Sequence, residues 1–153
     1  MRSPRGGLTA ADGVLVPHVG LVIAYAYLWA SQYAAGAIEG RKVRPCVVAL
    51  VRTLADGTVI VWVAPITHRT PDTPDDAVEL PPRVKRRLGL DTDRSWIIAA
   101  ELNRFVWRSP DLHPTPSGGE AFGTLPECVV AEMRERMKGL WKRSRFEQVP
   151  RDG

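Results

Sequence analysis

Long apolar runs and cysteine clusters are both missing from this sequence. No run of about 18 or more apolar residues occurs, so we expect no membrane-spanning helix. The two cysteines, Cys46 and Cys128, lie far apart and form no C-x-x-C or Cys/His pattern with metal-ligand spacing. Both have apolar neighbours, so we interpret them as buried, reduced thiols of a cytoplasmic protein. We therefore expect no metal and no other cofactor.

We also expect no secretory signal, because no apolar segment with a small-residue cleavage site follows the basic residues MRSPRGG. Residues 1–16 are rich in Gly, Ala, Pro and Arg without a sustained hydrophobic period, which is typical of a flexible basic arm. A chain of 153 residues suffices for one hydrophobic core. We assign residues 17–145 to a single domain and residues 146–153 to a tail.

Acidic residues are fewer than basic ones, 17 against 21, which gives a formal net charge of +4. This mild excess selects no class of partner by itself. The clustering of the basic residues is more informative, because each cluster is either a solvated face or part of a functional basic surface. The clusters are Arg41, Lys42 and Arg44; Arg83, Lys85, Arg86 and Arg87; and Arg134, Arg136, Lys138, Lys142, Arg143 and Arg145.

Short β-branched and aromatic segments predict a β-rich domain. The predicted strands span 19–28, 45–53, 58–64, 77–80 and 94–107, and the turn Ala55-Asp56-Gly57 joins the second strand to the third. We expect the third strand to end at Pro65. Two polar segments, 29–43 and 66–76, are predicted to be loops that carry function.

Two helices complete the predicted architecture. A short helix opens at Pro81-Pro82 and ends at Gly89, and a terminal helix follows the capping-box spacing of Thr124 and Glu127. Strands at short spacing with few helices indicate an α+β, mainly antiparallel fold with a strongly bent sheet. A closed or nearly closed barrel is the usual way for such a sheet to protect its edges, with the last helix covering one face.

Four motifs follow one another in a recognisable order. A strand starts at Gly20, and a second apolar strand opens with Arg44-Pro45, five residues after Glu39. The next strand leads into Pro65-Ile66-Thr67, and an acid and a base lie three residues apart in Glu101-Leu102-Asn103-Arg104. This order resembles the PemK/MazF family of type II toxin–antitoxin ribonucleases, over residues 17–112 and the terminal helix.

The resemblance implies an SH3-like barrel, a homodimer and an endoribonuclease (mRNA interferase) that cleaves single-stranded RNA without a metal. It also implies an acidic, partly disordered antitoxin as partner. Arg44 matches the family's essential arginine, Thr67 its essential hydroxyl, and Glu39 its loop glutamate. His68 stands where Ser or Thr is more usual. Ala99 stands where some members have an arginine that acts with an acid, so the resemblance favours a site built on arginine and threonine.

Metal-free RNA cleavage uses the 2′-hydroxyl of the RNA as the nucleophile, so the site must hold phosphate, stabilise negative charge and move protons. We assign charge stabilisation to Arg44, phosphate or 2′-hydroxyl positioning to Thr67, and the general base to Glu39 or His68. The candidate RNA-binding residues are Arg41, Lys42, Arg69, Trp29, Tyr33, Glu101 and Arg104.

Other interpretations stay open at this point. Arg44 can be an edge-strand arginine with a surface partner, Thr67 a turn residue, and His68 an ordinary loop histidine. Glu101 and Arg104 can form a structural pair. The protein itself can be a non-enzymatic toxin on the same fold, which poisons its target by binding, or a catalytically silent barrel that binds nucleic acid or protein.

Overall fold

The computed structural model describes residues 15–40 and 42–151, which form nine strands and three α-helices. The elements in chain order are β1 (Leu21–Ala26), α1 (Ala30–Ala34), β2 (Val43–Thr53), β3 (Val59–Thr67), β4 (Ala77–Glu79), α2 (Pro82–Leu88), β5 (Trp96–Ile98), β6 (Glu101–Val106), β7 (Leu112–His113), β8 (Gly123–Thr124), α3 (Glu127–Lys142) and β9 (Glu147–Pro150). A 3₁₀ turn at Pro74–Asp76 precedes β4.

The hairpin of β2 and β3 is the longest paired element and confirms the predicted turn. Gly57 has a φ of +92°, a conformation that glycine adopts without strain, and Thr58 N–H donates to Asp56 Oδ1 over 2.9 Å. The prediction that β3 ends at Pro65 is wrong, since Pro65 pairs with Cys46 and the strand continues to Thr67. A β-bulge between Val48 and Leu50 shifts the register of this pair by one residue.

The remaining strands extend the sheet in the order β4-β5-β3-β2-β1-β7, with β8 on β1 and β6 on β3. All these pairs are antiparallel, and β9 alone pairs in parallel, with β6. The architecture is therefore a mainly antiparallel sheet with a few helices, as expected. Among the described strands the pairing does not close into a ring. No helix in the described ranges is long and apolar enough to cross a membrane.

Three segments differ from the sequence-based prediction. Residues 29–43, expected to be a loop, contain the short helix α1. The predicted strand 94–107 is divided into β5 and β6, because Ala99 N–H donates to Asp76 and leaves the ladder. Residues 147–150, expected to belong to a tail, form β9.

Two hydrophobic clusters lie on opposite faces of the central strands, which explains why every residue of β1 is buried. The first cluster packs the sheet against α2, α3, β4 and β5, with Met133 of α3 fully buried in it. The second cluster is built by side chains of β1, β2, β3 and β6, together with Tyr27 and Leu15. Its centre is an aromatic stack in which the rings of Tyr25 and Phe105 lie 4.7 Å apart. Leu15 belongs to the segment predicted as a flexible arm, of which residues 1–14 lie outside the described residues.

The two longer helices follow their sequence signals closely, except at one cap. Gly89 ends α2 in the left-handed conformation, with a φ of +71°, as predicted. The predicted capping box of α3 does not form, because the N-cap of the helix is Pro126 and Thr124 lies two residues earlier, in β8, where its Oγ1 is 3.0 Å from His18 Nε2. Cys46 is buried as expected, whereas the expectation for Cys128 is wrong, since it lies on the exposed side of α3.

Arg151 directly follows β9 and connects this segment to the sheet. Its side chain is only 2% exposed. Its Nη1 donates to the Ala26 carbonyl over 2.8 Å and to Asn103 Oδ1 over 3.1 Å, and its Nη2 pairs with Asp111 over 3.0 Å. Asn103 in turn bonds both backbone groups of Leu28, with distances of 2.8 and 2.7 Å. We call these residues the arginine clasp; it fixes the backbone where β1 leads into Trp29.

Candidate functional site

A cleft of about 350 Å³, lined by both polar and apolar residues, opens where β2 begins and β3 ends. Cys46 pairs with Pro65, and the same antiparallel register continued by two residues sets Arg44 opposite Thr67. The two residues that the motifs singled out therefore line one cleft. The full lining is Lys42, Val43, Arg44, Pro45, Ile66, Thr67, His68, Arg69, Leu90, Asp91 and Ser95.

Arg44 reaches this cleft across the ring of Trp29, with 5.2 Å between the guanidinium carbon and the ring centroid. Trp29 is itself braced edge-on by Tyr27, whose ring centroid lies 5.2 Å away. Within residues 15–40 and 42–151 no carboxylate pairs with Arg44, and its Nε is buried without a hydrogen-bond partner. A guanidinium held on an aromatic ring with no protein anion beside it is suited to an external anion.

Thr67 combines a turn role with a free donor. Its Oγ1 accepts the Arg69 N–H over 3.1 Å, as the interpretation of Thr67 as a turn residue expects. A hydroxyl that accepts one hydrogen bond keeps its own hydrogen for donation. The turn fixes the hydroxyl at the cleft, so the structural and the functional interpretations of Thr67 are compatible.

His68 belongs to a chain of three polar side chains that the sequence did not predict. Its Nε2 lies 2.7 Å from Asp91 Oδ2, and Lys85 Nζ lies 2.7 Å from the other oxygen of Asp91. A carboxylate only accepts, so Nε2 carries the hydrogen and Nδ1 of the neutral ring is left as an acceptor. Lys85 holds the pKa of the Asp91 carboxyl below its usual range, chiefly through their hydrogen bond.

Lys85 is the anchor of this chain, which we call the lysine relay (Lys85, Asp91 and His68). Its side chain is only 5% exposed, and its ammonium also donates to Ser95 Oγ over 2.7 Å and to the Asp93 carbonyl. Every donor of the buried ammonium therefore has an acceptor, as a buried charge requires. The relay positions Asp91 from the protein interior, although Asp91 and His68 are each about half exposed.

Lys42 and Arg69 also line the cleft, so it carries three basic side chains counted with Arg44. Arg41, the other basic residue predicted at this place, lies outside the described residues. An apolar recess of about 570 Å³ adjoins the cleft and shares Val43, Arg44, Pro45, Leu90 and Asp91 with it. The recess adds Pro114, Pro116 and Phe122.

Five predicted site residues do not line the cleft: Trp29, whose ring packs against Arg44, and four others. Glu39 and Tyr33 are exposed on the segment between β1 and β2. Glu101 is occupied elsewhere, since its Oε1 accepts the Tyr27 hydroxyl over 3.0 Å and the Ala30 N–H over 2.8 Å. Arg104 is exposed on β6 and forms no ion pair with Glu101, so the suggested structural pair is not formed.

A possible metal-ligand set also meets at the cleft, which the search for sequence spacing missed. His68, Asp91 and Asp93 each offer one ligand atom, and these atoms lie within 4.8 Å of one another. All three residues are exposed. The ammonium of Lys85 already occupies one oxygen of Asp91. A cation at this place would meet like charge, which disfavours binding.

The relay gave little signal in the sequence. Lys85 lies in a basic helix that indicates a solvated face, and Asp91 and Asp93 follow Gly89 as ordinary loop residues.

Compared with models of known protein families and with curated proteins, the chain matches none. The resemblance to the PemK/MazF family therefore stays a prediction.

Proposed function

We propose that this protein is the toxin of a toxin–antitoxin pair and a metal-independent endoribonuclease that cleaves single-stranded RNA at the cleft. One observation carries the proposal: Arg44, without a carboxylate partner among the described residues, lines the same cleft as Thr67 and the His68–Asp91 pair. A fixed guanidinium and a hydroxyl donor can stabilise the charge that grows on the phosphate during transesterification, and an oriented imidazole can act as the general base.

In the proposed mechanism the 2′-oxygen of the RNA forms a bond to phosphorus while the bond from phosphorus to the 5′-oxygen breaks. His68 Nδ1 takes the 2′-hydroxyl proton, because Nε2 is engaged by Asp91. Arg44 and Thr67 bind the phosphate oxygens, on which negative charge grows, and the departing 5′-oxygen takes a proton from water. His68 is preferred to Glu39 as the base, since Glu39 does not line the cleft.

The surroundings of the cleft fit an RNA strand. Lys42 and Arg69 supply positive charge for neighbouring phosphates. The adjoining recess, with Phe122 and two prolines, offers apolar contact to one base. We further propose that the bent sheet is an SH3-like small barrel, because β1, β2, β3 and β6 enclose the second hydrophobic cluster among themselves.

The deciding experiment incubates the purified protein with labelled single-stranded RNA in excess EDTA. We expect cleavage that leaves a 2′,3′-cyclic phosphate and a 5′-hydroxyl, since the 2′-oxygen is the nucleophile. Cleavage that requires added Mg²⁺, or products with a 3′-hydroxyl, would refute the mechanism. In that event Asp93→Asn tests the alternative, because Asp93 belongs to the possible metal-ligand set and not to the relay.

We also propose a cytoplasmic homodimer whose cleft is blocked by an acidic, partly disordered antitoxin. The basic side chains of the cleft support this proposal, because acidic side chains of an antitoxin would compete with RNA phosphates for the same groups. Sedimentation at micromolar concentration and a competition assay between RNA and the antitoxin test this. A monomer, or simultaneous binding of both ligands at the cleft, would contradict it.

A further inference from the structure

A second groove, far more apolar than the cleft, runs between α3 and the sheet and has a volume of about 470 Å³. It shares no lining residue with the cleft. Its floor includes Ala49, Leu102 and Trp62, whose indole Nε1 donates to Gln148 Oε1 over 3.0 Å. The proposed ribonuclease mechanism assigns no role to this groove.

Two large apolar side chains are exposed at this groove. Trp141 is 65% exposed, and its ring stands edge-on to Phe146, with 5.9 Å between the ring centroids. Leu50 is 44% exposed and pairs with Trp62 next to the β-bulge. Contiguous exposed apolar surface of this kind is typical of a binding site for another molecule.

The basic residues at the rim of the groove favour a ligand that carries negative charge. Arg134, Lys138 and Lys142 follow one another at four-residue spacing, so they form one ridge along α3 with a repeat of about 6 Å. Among the described residues, no acidic side chain lines the groove. The nearest counter-charge on the ridge is Glu135, which lies 3.5 Å from Lys138 in a highly exposed pair that contributes little.

From this arrangement we propose that the groove binds an acidic peptide segment of a partner protein, with an aromatic or large aliphatic anchor between carboxylates. The anchor packs on Trp141, Phe146 and Leu50. The carboxylates meet the basic ridge, and a repeat of about 6–7 Å is available to acidic residues on one face of a helix or an extended strand. This proposal is independent of the ribonuclease activity.

Charge argues against two other occupants. A second copy placed symmetrically on this groove would set two basic ridges against each other, which is costly in a desolvated interface. The first residues of this chain, MRSPRGG, are themselves basic and repel the ridge. An acidic partner alone satisfies both the apolar floor and the charged rim.

The test uses a phage-displayed random 12-residue peptide library selected on the full-length protein. We expect enriched peptides that are net acidic and contain an aromatic or large aliphatic residue. Their affinity, measured by fluorescence anisotropy, should fall at least about tenfold in Trp141→Ala, as for central interface residues. A comparable loss is expected in the triple variant Arg134→Glu, Lys138→Glu, Lys142→Glu.

The matched control is Arg83→Glu, Arg86→Glu, Arg87→Glu on α2, which makes the same change in net charge on exposed residues away from the groove. Affinity should be nearly unchanged there. Equal weakening by both triple variants would mean nonspecific charge attraction and would overturn the proposal. Failure to enrich any peptide, enrichment of neutral or basic ones, or a dimer dissociated by Trp141→Ala would overturn it as well.

Discussion

Arg44 and Arg151 both lie against an aromatic ring, at 5.2 Å from Trp29 and 5.5 Å from Tyr25, yet their surroundings differ in kind. Arg151 is buried with a carboxylate, a carbonyl and an amide oxygen as partners. Arg44 has no carboxylate partner in the described chain and lines an open cleft. The comparison separates an arginine that stabilises the fold from one that is available to a ligand.

The largest effect is expected from Arg151→Met, which removes the centre of the arginine clasp. Asp111 loses the partner of its half-buried carboxylate, and Asn103 and the Ala26 carbonyl each lose a donor. Removal of one partner of a buried pair typically costs about 3–5 kcal/mol of unfolding free energy. Urea denaturation measures the change, and Arg44→Met, expected to cost under about 1 kcal/mol, is the matched control. Equal losses of unfolding free energy in the two variants would show that the two arginines do not differ in their contribution to the fold.

The next effect concerns catalysis at the other arginine. Arg44→Ala should slow single-turnover RNA cleavage by about 10²–10³-fold, the usual result of losing one preorganised charge-stabilising donor. RNA affinity should fall much less, because Lys42 and Arg69 also line the cleft. Arg44→Lys should restore little, since a point charge does not reproduce the fork of a guanidinium.

Cleavage of a labelled oligonucleotide, binding by anisotropy and thermal unfolding separate these effects. A folded Arg44→Ala protein that cleaves at the parent rate would remove Arg44 from the mechanism. That result would favour the interpretation of the protein as a binding module.

A smaller effect tests the lysine relay within the cleft. Asp91→Asn preserves the shape but offers the His68 ring an amide, which no longer fixes the hydrogen on Nε2. We expect cleavage to slow by about 10–100-fold, as when the partner that orients a functional histidine is lost. Asp93→Asn, which does not touch His68 through an ion pair, should leave the rate within about twofold. Equal losses would point to a role in folding or metal binding.

The smallest expected effect concerns Glu101, whose carboxyl has a pKa shift opposite in direction to that of Asp91. Lys85 lowers the pKa of Asp91, whereas burial raises the pKa of Glu101 above its ordinary 4.5, although the Ala30 N–H and the Tyr27 hydroxyl partly oppose the shift. The Glu101 contribution to stability is thus fully present below pH 4.5 and is lost as the pH rises through the raised value.

Glu101→Gln keeps an acceptor oxygen for both hydrogen bonds without the buried charge. We expect its stability at pH 7 to stay within about 1 kcal/mol of the parent or to exceed it, since one buried charge is removed. The unfolding free energy should also depend less on pH above 4.5. Urea denaturation at several pH values measures this. A steeper pH dependence in the variant would show that the sign is wrong.

Local signals in the sequence determined much of this protein. The two β-branched, apolar segments on either side of the Asp56-Gly57 turn predicted the β2–β3 hairpin, and Pro82 with Gly89 predicted α2, because each depends on neighbouring residues alone. The same signals brought Arg44 and Thr67 to the ends of paired strands. Contacts between residues that are distant in the sequence could not be predicted from such local signals. The strand β9 and its parallel pairing with β6 are examples.

Only the tertiary structure decided the register and the partners at the cleft. From the turn inward, Thr53 pairs with Val59, and an uninterrupted ladder would have set Arg44 opposite His68. The bulge at Ala49 shifts the register by one residue, because one strand carries an extra residue there, so that Cys46 pairs with Pro65 and the same register continued leads from Arg44 to Thr67. Burial of Lys85 against the loop after α2 then brings Asp91 to His68. No local pattern specifies these contacts, since the packing of the whole domain determines which distant groups meet.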